Sequence, residues 1–180
     1  MGGFAPCAKS RHRARELREL EGLGSSVADE RAVREIGERV KDCIRDRRSC
    51  MVETVLSTNK YREDVLEAKR QGSKVALVYV AVSSADLAVE RVGMRLRAGG
   101  HGVPQEKIRL RYQRSLANLP WFMAHADWAL VYCNDRPGFA GRPALIARKD
   151  EYGIHIEDAD AFPELTKRLA EMISSRGDIP

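Results

Sequence analysis

The residues nearest to a recognisable chemical motif lie at the start of the chain, in the stretch GGFAPCAKS (residues 2–10). A phosphate-binding loop follows the pattern G-x-x-x-x-G-K-[ST], in which backbone N–H groups and the lysine surround phosphate oxygens. Gly3, Lys9 and Ser10 occupy three positions of this pattern, and Ala8 stands where the second glycine is expected. The stretch is therefore one mismatch away from a phosphate site.

A second candidate for chemistry is a basic segment over residues 91–114, which we call the lid segment. It contains a single acid, Glu106, against seven basic residues: Arg91, Arg95, Arg97, Lys107, Arg109, Arg111 and Arg114. Such a charge excess predicts an anion-binding segment, although a run of charge is also typical of a solvated helix face. For Arg111 and Arg114, ion pairs with acids near the C-terminus are an equal alternative.

A third candidate is the polar pair Glu53 and Thr54, which interrupts the apolar stretch CMVETVL (residues 50–56). The stretch is short and β-branched, so it predicts a buried strand. A carboxylate there is costly to bury without a partner, so we expect Glu53 to face a cleft and hold a ligand hydroxyl or a cation. The alternative is that Glu53 pairs with an arginine of the lid segment.

Helices and strands are predicted to alternate around these residues. Helices are expected over 26–48, with Ser26 as cap, over 59–72, over 87–97, after Pro104 and over 163–174. Strands are expected over 50–56, 74–82, 127–133, 143–149 and 152–156. The alternation predicts a three-layer α/β domain with a mostly parallel sheet, in which ligands gather at the carboxyl ends of the strands.

Composition restricts the class of protein. The 180 residues suit one domain, and the net charge is +5. No apolar run approaches the roughly 18 residues that a membrane helix needs, and the N-terminus shows no signal-peptide pattern. We therefore expect a cytoplasmic protein without a membrane partner. The four cysteines and four histidines show no metal-ligand spacing, so no metal cage of protein side chains is predicted.

Three stretches together resemble the zeta toxin-like P-loop kinases, in the bacterial branch described as predicted ATPases. They are VETVLSTNKY, the long block KVALVYVAVSSADLAVERVGMRLRAGGHGVPQEKIRLRYQRSLANL, and WALVYCN. The most specific element is the run R-x-x-x-R-x-x-x-G-G-H-x-V-P followed by R-Y-x-R-S-L-x-N-L. The resemblance is strongest over residues 50–134 and implies a single kinase domain over residues 1–180 with a P-loop NTPase-like sheet.

The resemblance also implies an activity. It indicates transfer of the ATP γ-phosphoryl group, with Mg²⁺, to a hydroxyl of a small substrate; the founding toxins phosphorylate UDP-N-acetylglucosamine and are neutralised by an antitoxin protein. Gly3, Lys9 and Ser10 would then bind ATP, with Ser10 also on Mg²⁺, and Arg111 and Arg114 would contribute to nucleotide binding. Glu53 and Thr54 would bind the acceptor. The catalytic lid residues would be Arg91, Arg95, Arg97 and His101, the last standing close to a family arginine.

The N-terminal stretch departs from the family pattern. Only two residues precede Gly3, so we do not expect the given sequence to contain the strand that normally holds the loop. Pro6 and Ala8 occupy positions of loop glycines. An alternative is therefore a non-catalytic, truncated paralogue that retains the fold and a ligand or partner surface. Nucleic-acid binding by the lid segment is a weaker possibility, because the segment has few aromatic residues for base stacking.

Overall fold

A computed structural model of the chain describes residues 16–17, 25–97, 103–134 and 143–176. The chain divides into two compact units. The first contains the described residues up to Val55 together with Tyr61–Ser73, and the second contains Leu56–Lys60 and the described residues from Lys74 onwards. Each unit is described by itself below.

In the first unit the structure describes two full helices, α1 (Ser25–Arg45) and α2 (Arg62–Arg70), and the helical residues Glu16 and Leu17. The predicted helix is confirmed, and it begins at Ser25, one residue before the expected cap. Its buried face is Ala28, Ala32, Ile36, Val40 and Cys43, which recur every three or four residues. The apolar spacing of Val33, Ile36, Val40 and Ile44 predicts that these residues form the buried face. Val33 is instead 43% exposed, and Ala28 and Ala32 are buried.

The end of α2 is confirmed at the predicted glycine. Gly72 has φ +76°. Glycine is favoured in this conformation because glycine has no Cβ. The N–H groups of Gly72 and Ser73 donate to the carbonyls of Lys69 and Ala68, each at 2.9 Å. These bonds satisfy acceptors that the last helical turn leaves open.

The predicted buried strand over residues 50–56 is wrong. Val52 forms only an isolated bridge, and the rest of the stretch is irregular. Met51 and Val55 are about half exposed, and Leu56 has φ +59°, which interrupts an extended chain. An apolar, β-branched composition was therefore not enough to make a strand here, because a strand also depends on pairing along its length.

The described residues of the second unit form a four-stranded sheet and three helices. In chain order these are β1 (Ala76–Ala81), α3 (Ala85–Arg97), α4 (Gln105–His125), β2 (Trp128–Cys133), β3 (Ala144–Asp150), β4 (Gly153–Ile156) and α5 (Pro163–Arg176). All these predicted elements are confirmed, and so is the α/β class. The strand order is β1-β2-β3-β4.

The predicted mostly parallel arrangement is wrong for the described strands. Only β1 and β2 pair in parallel, while β2–β3 and β3–β4 are antiparallel. A parallel connection needs a crossover of about a dozen residues or more. Only ten residues join β2 to β3 and two join β3 to β4, so those connections return the chain antiparallel. A three-layer P-loop NTPase fold stays a prediction.

The two faces of the parallel pair differ in burial. Ala129, Val131 and Cys133 are buried, and the Tyr79 hydroxyl on the same face hydrogen-bonds the Ser115 hydroxyl of α4 at 2.9 Å. The opposite face retains large apolar side chains that are 37–66% exposed: Val78, Val80, Trp128 and Leu130. α4 therefore covers one face, burying Ile108, Leu116 and Leu119 of its predicted apolar stripe.

Lys149 joins the sheet to the end of α4. Its ammonium donates to the carbonyls of Met123, Ala124 and Ala126 at 3.0, 2.8 and 2.6 Å. A cation at a helix C-terminus stabilises the exposed carbonyls and the negative end of the helix dipole. Lys149 therefore holds α4 over β3. Among the described helices, none is long and apolar enough to cross a membrane.

We expect Lys149→Met to lower the free energy of unfolding by about 2 kcal/mol, because three carbonyls lose a charged donor at once. Urea denaturation followed by circular dichroism measures the change. Lys167→Met, at an exposed position on α5, is the matched control and should stay within about 0.5 kcal/mol of the parent. Equal stability of the two variants would contradict the role of Lys149.

Candidate anion-binding site

The carboxyl ends of β1 and β2 lie side by side. Ligands are expected at this edge of such a sheet. Ala81 and Cys133 are partners in the parallel register. The Asn134 N–H donates to the Ala81 carbonyl at 3.0 Å, which extends the pairing past the last strand residue. α3 begins four residues after β1, and the Ser84 hydroxyl accepts the Leu87 N–H at 3.1 Å. A capped helix N-terminus therefore follows the strand end.

Arg91 lies at this edge of the sheet. Its side chain is half-buried, and a guanidinium N–H donates to the Asn134 carbonyl at 2.6 Å. Arginine has five N–H donors in a planar fork. Within the described part of the chain, no carboxylate forms an ion pair with Arg91. The bond to Asn134 therefore orients the guanidinium without neutralising its charge.

Two contacts join α4 to its neighbours, one to the residue that follows β1 and one to α3. The Tyr112 hydroxyl donates to the Val82 carbonyl at 3.1 Å, which ties α4 to the residue that follows β1. Arg109 forms an ion pair with Asp86 in the first turn of α3. The two helices of the lid segment thus contact each other and the strand end, while Arg109 is partly neutralised.

A row of exposed cations lies on α4, and we call Lys107, Arg111 and Arg114 the basic stripe. The spacings of four and three residues place them on one helix face, and all three are exposed. The described residues contain no ion pair with any member of the stripe. The alternative pairing of Arg111 and Arg114 with C-terminal acids is thus not observed among them, and Glu164 pairs with Arg168 instead, at 3.0 Å.

Asn118 continues this face one turn beyond Arg114 and was not singled out from the sequence. Its side-chain amide donates to the Leu56 carbonyl at 2.9 Å. Leu56 is buried although its neighbours in the sequence are exposed or half-buried. The position of Asn118 four residues after Arg114 was the available sequence signal, but only the fold identifies the Leu56 carbonyl as its acceptor. Asn118 therefore holds Leu56 beside α4.

The remaining sequence-predicted residues are placed differently. Glu53 and Thr54 are exposed in the irregular part of the first unit, rather than at a strand end. Arg95 and Arg97 are exposed in the second half of α3. Gly3, Lys9, Ser10 and His101 lie outside the described residues. The structure thus brings together Arg91, the strand ends and α4, which carries the basic stripe.

Two other features of the described residues do not add to this site: the possible metal ligands and a cavity of the first unit. No group of three or more His, Cys, Asp or Glu side chains with metal-binding geometry occurs in the described ranges. A cavity of about 380 Å³ in the first unit lies between α1 and α2. Its two arginines, Arg45 and Arg70, already pair with Asp42 and Glu67, so they are less suited to hold an added anion.

The Tyr79 phenol is the nearest buried titratable group on β1. Burial raises its pKa above the ordinary value, and the hydrogen bond with Ser115 lowers it in part. Tyr79 therefore stays protonated at neutral pH and acts as a hydrogen-bonding partner of α4, and it is not suited to be a general base.

The chain matches no family model, no curated protein and no solved structure. The likeness to the zeta toxin-like kinases therefore rests on the motif residues alone.

We expect the double variant Arg111→Ala/Arg114→Ala to bind inorganic triphosphate about 5- to 30-fold more weakly at low salt. Each exposed cation contributes about 0.5–1 kcal/mol to an ionic contact, and the two add because they share one helix face. Isothermal titration calorimetry measures the affinity.

Lys167→Ala removes one exposed cation from α5 of the same unit and should leave triphosphate affinity within twofold. Equal weakening in both variants would show that net charge, rather than the basic stripe, governs binding.

Proposed function

We propose that the protein binds ATP with Mg²⁺ and transfers the γ-phosphoryl group to a hydroxyl of a small substrate, as the resemblance to the zeta toxin-like kinases implies. The observation that supports this most is the Arg91 guanidinium at the carboxyl ends of β1 and β2. Its charge is not paired within the described residues, and it belongs to the same helical pair as the basic stripe.

The chemistry of phosphoryl transfer calls for this kind of arrangement. Charge spreads over the oxygens of the transferred group, and positioned cations stabilise it. The Asn134 carbonyl orients Arg91 within the protein itself, so little reorganisation free energy is needed to place the guanidinium at the moment of reaction. Arg95, Arg97, Arg111 and Arg114 are exposed and supply further positive charge.

The residues present suit the phosphates of a nucleotide, because guanidinium groups match phosphate oxygens in geometry and charge. In this proposal Lys9 and Ser10 contact the same phosphates, and Ser10 holds Mg²⁺, which neutralises charge on the nucleotide when it is bound. His101 would add a cation in its protonated form.

On the acceptor side, Glu53 would accept a hydrogen bond from the substrate hydroxyl, with Thr54 as its polar neighbour. An antitoxin protein belongs to this proposal as the regulatory partner.

A second candidate is a non-catalytic protein that retains a phosphate-binding surface. The exposure of Glu53 and Thr54 in an irregular segment favours it, because a substrate-orienting carboxylate usually needs a rigid support. Pro6 and Ala8 in the N-terminal stretch favour it as well. Both candidates bind anions, but only the first transfers a phosphoryl group.

The decisive experiment incubates the full chain with [γ-³²P]ATP, Mg²⁺ and UDP-N-acetylglucosamine or other hydroxyl-bearing nucleotide sugars. We expect a labelled product, and we expect Arg91→Ala to lower the rate at least 100-fold, as loss of a transition-state donor does. Arg168→Ala, on α5, is the matched arginine control and should retain the rate. Triphosphate binding without a labelled product would favour the non-catalytic candidate.

Thermal denaturation tests the contribution of the N-terminal stretch. We expect millimolar MgATP to raise the melting temperature, since a ligand that binds the folded state stabilises it. The increase should shrink in Lys9→Ala. An unchanged increase in that variant would remove Lys9 from the site, and no increase in the parent protein would remove ATP from the proposal.

A further inference from the structure

The loop Leu56–Lys60 belongs to the second unit, as α4 does. It begins at a strained residue, because Leu56 has φ +59°, a left-handed conformation that non-glycine residues seldom adopt. The Leu56 side chain is buried, whereas residues 58–60 are exposed. Strained backbone persists only where neighbouring contacts hold it, and it is frequent at ligand-binding segments. The contacts of Leu56 therefore decide where the exposed part of the loop lies.

Asn118 provides one such contact from α4. Its side-chain amide donates to the Leu56 carbonyl at 2.9 Å. α4 is itself held on the sheet, by the three carbonyl bonds of Lys149 and by the bond between Tyr79 and Ser115. Asn118 therefore ties the start of the loop to a fixed helix.

The same contact places the loop next to the basic stripe. Asn118 stands four residues after Arg114, and side chains at this spacing are neighbours on a helix face, with Cβ atoms about 5–6 Å apart. The loop therefore begins within about one helical turn of Arg114.

Helix geometry shows on which side of α4 this happens. Arg109 forms an ion pair with Asp86 of α3. Two residues turn a helix by about 200°, so Arg111 points away from α3. Seven residues turn it by about 700°, which brings Asn118 back to within about 20° of Arg111. The basic stripe and the loop therefore lie on the same side of α4.

We propose that the basic stripe and the loop Leu56–Lys60 together bind a chain of two or three phosphates, and that Asn118 is the positioning residue that holds the loop for it. This inference rests on the phosphate binding of the proposed function and not on phosphoryl transfer. It adds the loop to the anion site and gives Asn118 a role in ligand binding.

The loop offers groups that complement those of the stripe. Residues 57–60 read STNK, so two hydroxyls, an amide and an ammonium follow Leu56. Hydroxyl, amide and ammonium groups donate to phosphate oxygens, and guanidinium groups match two oxygens at once. One phosphate of the chain contacts the guanidinium groups, and the next contacts the loop. A single orthophosphate reaches only one of the two parts.

Isothermal titration calorimetry on the full chain at low salt tests the inference, with inorganic triphosphate and orthophosphate as probes. We expect Asn118→Leu, which keeps a similar volume but has no donor, to bind triphosphate about 3- to 10-fold more weakly. Its orthophosphate affinity should stay within about twofold of the parent. Asn118→Gln keeps the donor amide and should recover part of the triphosphate affinity.

A second variant tests the loop without disturbing the Asn118 contact. Ser57→Ala/Thr58→Val removes the two loop hydroxyls and should also weaken triphosphate binding about 3- to 10-fold. Ser174→Ala removes an exposed hydroxyl of α5 and is the matched control, with triphosphate affinity expected within about twofold of the parent.

A double-mutant cycle separates ligand binding from a merely structural role. In the Arg111→Ala/Arg114→Ala background, Asn118→Leu should cause little further loss, because triphosphate no longer bridges the stripe and the loop. A structural role alone would lower the melting temperature of Asn118→Leu and leave its triphosphate affinity unchanged. That result, full additivity in the cycle, or parent affinity in the hydroxyl variant would each overturn the inference.

ATP and UDP-N-acetylglucosamine, the nucleotide and the acceptor of the proposed function, identify the source of the phosphates. Weaker ATP binding by Asn118→Leu would assign the loop to the nucleotide, and weaker binding of the nucleotide sugar would assign it to the acceptor. Unchanged binding of both would contradict the inference. Loop-dependent triphosphate binding without phosphoryl transfer would support this inference and exclude the catalytic function.

Discussion

The parallel pairing of β1 and β2 is the constraint on which the second unit depends. Two strands cannot run side by side in the same direction unless the chain crosses back from the end of one to the start of the other. Here α3 and α4 make that crossing. The crossover is therefore joined to the sheet at both ends, and it carries Arg91 to the edge where the two strands end.

Polar contacts then hold the crossover in place. Lys149 binds three carbonyls at the end of α4, the Tyr79 hydroxyl meets Ser115 in its middle, and Tyr112 binds the Val82 carbonyl nearer its start. Each contact joins the helix to the sheet or to the residue that follows β1. Because they are spread along α4, the helix is fixed over the sheet while the basic stripe remains exposed.

Most helices and strands could be predicted because their signals are local. The capped start of α3, the glycine after α2 and the apolar stripe of α4 depend on neighbours within one or two turns. The strand over residues 50–56 failed for the opposite reason. A strand is stabilised by pairing with distant residues, and composition alone cannot show whether those partners exist. The mostly parallel arrangement is wrong for the described strands because the alternation of helices and strands does not fix strand direction, and two residues between β3 and β4 permit only an antiparallel hairpin.

For the candidate site, the sequence indicates which residue types are present, and the fold shows which of them contact each other. The charge excess of the lid segment and the single face shared by Lys107, Arg111 and Arg114 follow from composition and helical period. The bond from Arg91 to Asn134 and the anchor from Asn118 to Leu56 join residues that local patterns do not relate. Sequence by itself determined what each segment tends to form and which charges it carries. Tertiary structure alone decided which of those groups meet, because contacts between distant residues depend on how the whole chain closes.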